Sequence, residues 1–492
     1  MQIVRNVARF SAVCMRAAMA TEDAAASKSA TPAAEGGESQ QALESFGYHQ
    51  ELKRSLGLRD LIIYGLVFMA PIAPFAIFGT VFNSSKGMVP LTYLIGMVAM
   101  IFTALSYREM SRAFPIAGSV YSYVSHGINS SVGFFAGWAI LLDYLLVPTL
   151  LYVVGAAALG SVVPAVAQWI WIVVFALFNT GVNYLGIEST ARLNRIFLTA
   201  ELIVLAVFVV IGVAAIAKGK NGAHFSFDPL LRPSLVSPAL IFGALSIAVL
   251  SFLGFDAIST LSEEVRGGDR RLVGRATVLS LVLVAVLFIV QTYVASLLVP
   301  GLTAFPDGDK TNTAFYDIAK IAGGTWLMVT VAVTSALAAA VANSLVAQAA
   351  TSRLLFSMAR DGRLFRFLAH VHPTRKVPER AVLAVGGISL VLGLAAVSQV
   401  ALLSSLVNFG ALFSFLFLHV SVFTHFVLRQ RSGKWGLHLI VPLLGFLIIG
   451  YVLVNADIPA KIGGLAWLVV GVVIVVVFRL SGRSTTLTLD NA

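Results

Sequence analysis

Charge is scarce in this sequence. Only 12% of its 492 residues are Asp, Glu, Lys or Arg, against roughly a quarter in a soluble chain. The deficit is uneven: long windows carry no charge, and short Arg/Lys clusters separate them. Cysteine is almost absent. The single Cys14 excludes a disulfide or a Cys-based metal site within the chain. No nucleotide-binding motif is present, so ATP is not the expected energy source. Neither a His/carboxylate metal cluster nor a nucleophile–base pair stands out, which argues against a membrane enzyme, and no cofactor is implied. A sensor would carry a folded signalling domain, but the N-terminal tail is short and polar.

What is abundant is apolar surface, at 58% of residues. About twenty apolar residues span a bilayer as a helix. Only helices or closed barrels satisfy the backbone there, and continuous apolar runs exclude an alternating barrel pattern. The expected fold is an all-α integral membrane protein of about twelve transmembrane helices. They lie near 60–82, 88–107, 132–159, 165–185, 194–216, 237–260, 273–299, 324–350, 380–397, 401–428, 437–455 and 461–479.

Of the 34 Lys and Arg, 23 fall on one side of these spans, 7 on the other and 4 in the N-terminal tail. The positive-inside rule then places both termini in the cytoplasm. The same bias accounts for the formal charge of +11 without nucleic-acid binding. Residues 21–45 are rich in Ala, Ser, Glu and Gly and should be disordered. Residues 1–20 read as a dispensable tail or a targeting segment interrupted by Arg16. Met19 is an alternative start. The organisation expected is a cytoplasmic tail over 1–50, a transmembrane domain over 51–480 and a short cytoplasmic tail over 481–492.

Two spans are interrupted midway. The first reads Tyr64-Gly-Leu-Val-Phe-Met-Ala70-Pro71-Ile72-Ala73-Pro74-Phe75, and two prolines three residues apart should unwind about a turn. The sixth reads Ser251-Phe252-Leu-Gly254-Phe255-Asp256, with a Gly and an Asp in an apolar helix. Breaks five spans apart fit a five-helix inverted repeat with binding at the midplane. The bland reading is a proline kink plus an incidental Gly.

These breaks lie inside longer strings. Phe114-Pro-Ile-Ala-Gly118-Ser-Val-Tyr121 follows span two. Gly137-Trp138 and Leu142-Asp143-Tyr144 lie in span three. Gly254-Phe-Asp256 runs on to Glu263-Glu264, and Ser352-Arg353 to Arg360-Asp361-Gly362 closes span eight. In this order, from about Leu52 to the end of span twelve, the chain resembles the amino acid–polyamine–organocation permeases. Leu141-Leu-Asp143-Tyr144-Leu, Ser251-Phe-Leu-Gly-Phe-Asp256, His370-Val-His372-Pro373 and Asn408-Phe-Gly-Ala are most similar to its putrescine importer branch. The resemblance implies the 5+5 inverted-repeat (LeuT-like) fold: a first repeat at about 56–216, a second at about 236–428 and two extra helices at about 437–479. It also implies secondary transport of a small organic amine or amino acid, usually driven by protons, in a plasma membrane (here the bacterial inner membrane).

Of 23 acids, only Asp143, Glu201 and Asp256 lie well inside spans. Intramembrane carboxylates usually face a cavity or a relay. Asp256 either pairs with a substrate ammonium or caps the second half-helix. Asp143, in span three, either joins it as a second charge for a diamine or bonds a neighbouring helix. Similar proton-coupled permeases often carry Lys where this chain has Glu201, so Glu201 is the candidate proton-coupling group or an inert neutral acid. His419 and His425 in span ten are six apart and share no helix face at the i, i+4 spacing. Either could titrate, or be a satisfied core group. Asn343 and Asn408 are candidate pocket donors or packing glue. Glu109, Glu263 and Glu264 flank Arg residues as gate ion pairs or as solvated loop charges.

The first break also speaks to cargo. Similar amino acid permeases use a Gly-rich break whose N–H groups hold the substrate carboxylate. Here Ala70, Pro71, Ile72, Ala73, Pro74 and Phe75 include no glycine, and two of them lack an N–H. A diamine would not miss those donors. Phe75, Phe252 and Phe255 could contact its methylene chain and offer cation–π faces. The candidate substrate-binding set is therefore Ala70–Phe75, Asp143, Phe252, Gly254, Phe255, Asp256 and Asn343. The expected function is proton-driven import of putrescine or a related polyamine, with an amino acid permease as the alternative. Sequence leaves the oligomeric state open.

Overall fold

Proline and glycine decide where the helices stop. The computed structural model describes residues 51–480 apart from 164, 307, 308, 398 and 457. The expectations for the two tails, including Cys14 and Met19, lie outside these residues. Helix α1 (Leu58–Met69) ends at the first break, and α2 (Pro74–Ser85) leaves it at 54°. Then follow α3 (Val89–Ala113), α4 (Ser119–Gly127), α5 (Ser130–Val162), α6 (Gln168–Leu185), α7 (Ile187–Ala217) and α8 (Pro238–Ala248). The chain continues through two 3₁₀ segments, Val249–Phe252 and Phe255–Glu264, to α9 (Arg270–Leu297). The rest comprises α10 (Asp309–Gly323), α11 (Thr325–Leu337), a π turn at Ala338–Asn343, α12 (Ser344–Arg360), α13 (Glu379–Ala395), α14 (Val400–Val422), α15 (Val441–Val454) and α16 (Ile458–Leu480).

Among the described residues, nine helical segments are long and apolar enough to cross a bilayer, besides the bent α1–α2 pair. Outward helix faces carry Leu177 of α6, Val210 of α7, Val391 of α13 and Val469 of α16, each at least 61% exposed. An apolar surface of this extent suits lipid and not water. Helix α13 has 17 residues, about 25 Å at 1.5 Å per residue, slightly under a bilayer core of about 30 Å.

Several boundaries differ from expectation. Helix α3 runs on to Ala113, so Arg108 and Glu109 belong to the helix, and α12 continues to Arg360. The window 237–260 is not one α-helix, because it turns 3₁₀ at Val249 and breaks at Gly254. Helices α4 and α10 lie outside every apolar window.

Close packing depends on small residues. At Gly410 of α14, a Cβ would sit 2.8 Å from both the Ala139 carbonyl oxygen and the Asp143 nitrogen of α5. The two backbones therefore cross in contact beside Asp143. Helix α16 is fixed to α5 by a reciprocal pair: Trp138 and Trp467 stack at 4.5 Å, and each indole N–H donates to the other's carbonyl, at 2.7 and 2.6 Å.

Candidate functional site

At the first break, prolines remove helical donors and the chain improvises. Ala70 adopts φ 49°, ψ 105°, a conformation costing a non-glycine residue about 1–3 kcal/mol. The N–H groups of Ala70, Ala73 and Phe75 donate to Val67, Ala70 and Ile72. Pro71 and Pro74 have none to give. Among the described residues, Ile72 is then the one N–H of the break without a backbone partner. The Pro71 carbonyl, released from the helical ladder, accepts a hydrogen bond from Gln291 of α9 at 2.8 Å.

The second break meets the first. Gly254 has φ +117°, and a Cβ there would approach the Phe68 ring to 2.8 Å. Only glycine fits both the backbone and the contact. Its N–H donates to Asp256 Oδ1 at 3.2 Å, while Tyr144 of α5 donates its hydroxyl to Asp256 Oδ2 at 2.6 Å. Asp256 is 1% exposed and, as the second residue of the half-helix Phe255–Glu264, accepts the N–H of Gly254 just ahead of it. That half-helix is ten residues of 3₁₀ structure, well beyond the usual three or four.

Helix α5 carries Pro148 in its interior. Proline leaves the carbonyl four residues earlier, that of Tyr144, without its helical donor. Thr351 of α12 supplies one: its Oγ1 lies 2.6 Å from the Tyr144 oxygen and 2.7 Å from that of Ala347. The residue that holds Asp256 is thus itself held at its backbone. Asp143, one position earlier, is 3% exposed, and its Oδ1 has no hydrogen-bond partner among the described residues.

Asn343 ends the π turn of Ala338–Asn343, and its Oδ1 is buried without a partner among the described residues. Such turns are frequent at functional sites. The Ala340 carbonyl in this turn accepts from Asn179 of α6 at 3.0 Å. Glu201, 1% exposed, has both oxygens without a partner among the described residues. Its level follows from its neighbours along α7. Asn194 shares a small depression with Asp60 and Tyr64 of α1, and Phe208 lies 6.1 Å from Phe75 of α2. Glu201, midway between them on the same face, stands level with the first break.

Other sequence candidates are placed elsewhere. Phe75 stacks on Phe315 at 4.0 Å within a cluster including Phe208 and Phe78. Phe252 packs with Tyr93 and Phe288, and Phe255 against Tyr107 and Phe415. Asn408 Oδ1 is buried without a partner among the described residues. His419 is a bonded core group, with Nε2 3.2 Å from Thr103 Oγ1 and Nδ1 3.0 Å from Ser106 Oγ. His425 lies edge-on to Phe114, its Nε2 2.9 Å from Gln430 Nε2.

Glu109, Glu263 and Glu264 are not solvated loop charges, because each is buried. Glu264 forms a two-pronged ion pair with Arg353, and Glu263 another with Arg360 at 2.8 and 3.0 Å. Glu263 also accepts the Ala117 N–H at 2.9 Å. The Glu264 carbonyl accepts from Ser55 and Leu56, and Arg266 N–H donates to the Leu56 carbonyl, forming a parallel bridge between Leu56 and Val265. The arginine-rich end of the second break is thereby tied to α12, to the α3–α4 loop and to the segment ahead of α1. Glu109 lies 3.4 Å from Arg108 and from His438.

The sequence reading missed Gln291, Thr351 and Pro148, although each was legible as a polar residue or a proline inside an apolar run.

Residues 61–481 match the amino acid permease family. The chain is 32% identical over 429 residues to the low-affinity putrescine importer PlaP of Escherichia coli K12, covering 86% of this chain and 93% of the relative. It is 26% identical to the branched-chain amino acid permease BcaP of Bacillus subtilis, with the same coverage. It is 27% identical to the methylthioribose transporter of that organism, over 78% of this chain and 83% of the relative. The two broken helices thus belong to an integral membrane transporter, and the chain is a member of the amino acid permease family.

Proposed function

We propose that this protein is a secondary active transporter that imports putrescine or a related polyamine by symport with protons. The observation that carries the cargo class is the kind of polar atom left over at the breaks. Among the described residues, Asp143 Oδ1 is a buried acceptor without a donor. On the donor side, Ile72 alone has an N–H free of a backbone partner at the first break, and Asp256 already occupies the start of the second half-helix. An organic ammonium brings the donors such a site lacks, whereas a carboxylate brings more acceptors. Similarity to a putrescine importer across most of the chain supports the same cargo.

The matched breaks support twelve spans arranged as two inverted five-helix repeats plus two further helices, with rocking of spans one, two, six and seven against the rest. The Arg/Lys bias supports cytoplasmic termini in a bacterial inner membrane. Glu201 is the proposed proton carrier: an unpaired carboxyl level with the break can load a proton on one side and lose it on the other. The Glu263–Arg360 and Glu264–Arg353 pairs are the proposed inner gate. The second reading, an α-amino acid as cargo, draws on the Ile72 N–H and on the similarity to BcaP.

The test is uptake of labelled putrescine into proteoliposomes under an inward proton gradient without sodium. Saturable, protonophore-sensitive uptake that resists amino acid competitors, and that disappears in Asp143→Asn, is the expected result. Accumulation of an amino acid without putrescine uptake would overturn the polyamine reading.

A further inference from the structure

Gln291 lies in the last two turns of α9 and is wholly buried. Its amide Nε2 donates to the Pro71 carbonyl at 2.8 Å and to the Leu287 carbonyl at 2.9 Å. These two carbonyls fix which way the amide faces, because the flipped amide would set its oxygen against both. Its oxygen, Oε1, is therefore an acceptor, and no donor reaches it among the described residues. A buried acceptor left without a donor is costly, and proteins seldom keep one without a use.

We propose that Gln291 is a cargo-contacting specificity residue whose Oε1 accepts a hydrogen bond from an ammonium N–H of the transported amine. The inference rests on the amine reading above. The chemistry is selective. Oε1 and the Pro71 carbonyl are both oxygens, so a carboxylate brought here meets lone pairs, while an ammonium finds an acceptor. The same amide reads the cargo and holds the break. A donor at Oε1 polarises the amide and strengthens its N–H bond to Pro71, so cargo occupancy tightens the joint at which α1 and α2 meet. The competing explanation is a plain tie between α9 and the break, with no cargo contact.

The test compares two competitors of labelled putrescine uptake in proteoliposomes holding the full chain: 1,4-diaminobutane and its fully N-methylated bis-quaternary analogue. The analogue keeps both charges and has no N–H. Gln291→Met removes Oε1 at similar volume and should cut the wild-type preference for the primary diamine by about tenfold or more, the scale of one hydrogen bond to a charged group. Gln291→Glu retains an acceptor and should keep the preference, though it forfeits the donation to Pro71. Equal weakening of both competitors in both variants would overturn the proposal and leave a structural tie. If Gln291→Met does not fold, Gln291→Leu takes its place: loss of the preference there supports the proposal, and an unchanged preference overturns it. A wild type that takes up no amine defeats the cargo reading itself, an outcome distinct from uptake with an unchanged preference.

Discussion

The Tyr144 hydroxyl reaches Asp256 across the interface between α5 and the second break, at 2.6 Å. A hydrogen bond to a buried charge contributes about 1.5–3 kcal/mol, and about 1.4 kcal/mol is tenfold in rate. Tyr144→Phe should therefore lower uptake kcat/KM roughly 10- to 100-fold. The thermal midpoint in detergent serves as the folding control. Uptake at the wild-type level would mean that the bond does not matter to the transport cycle.

The Tyr144 carbonyl is the second hold on that residue. Thr351→Val removes the donor that replaces the one lost to Pro148, and should destabilise the protein by about 1–3 kcal/mol. Pro148→Ala restores a helical N–H to the same carbonyl. The double variant should recover most of the loss, a non-additivity read directly from thermal midpoints. Simple addition of the two effects would exclude the link.

Glu201→Gln keeps the shape and removes the exchangeable proton. Exchange of labelled for unlabelled cargo at equal concentrations should persist. Accumulation driven by a pH gradient should fall to the level of the exchange background. Retained gradient-driven accumulation would move proton coupling to another group.

Arg353→Met strands the buried Glu264 carboxylate, at a cost of about 3–5 kcal/mol to the closed arrangement. The arginine-rich end should then open more often. With Cys14 replaced and a cysteine placed at Ser55, a membrane-impermeant maleimide should react faster in the Arg353→Met background. Adding Glu264→Gln should slow the reaction again. Equal labelling rates in all three backgrounds would exclude a gate at this pair.

Much of this was readable from composition. Apolar windows marked the helices because a bilayer tolerates little else, and Pro71, Pro74 and Gly254 marked the breaks because backbone chemistry is local. What escaped was long-range. Glu263 and Glu264 stayed open between gate ion pairs and solvated loop charges because their partners, Arg360 and Arg353, lie 97 and 89 residues further along the chain. The carbonyls of Pro71 and Tyr144, which helical donors do not reach, are visible from the prolines. Their rescuers, Gln291 and Thr351, are 220 and 207 residues away. The 3₁₀ winding of Phe255–Glu264 also escaped, because neither hydropathy nor propensity separates it from an α-helix.

The bridge between Leu56 and Val265 gives this end of the molecule a clock. The amides of Ser55, Leu56 and Arg266 are all engaged in it, and an amide so engaged exchanges with deuterium only when its bond parts. If the gate and the bridge separate together, the three should exchange in concert, and their common rate, divided by that of a free amide, is the fraction of time this door stands ajar. Cargo or a proton gradient that shifts the door would then be visible as a change in deuterium uptake on one short peptide at each side, with no label attached and no transport measured.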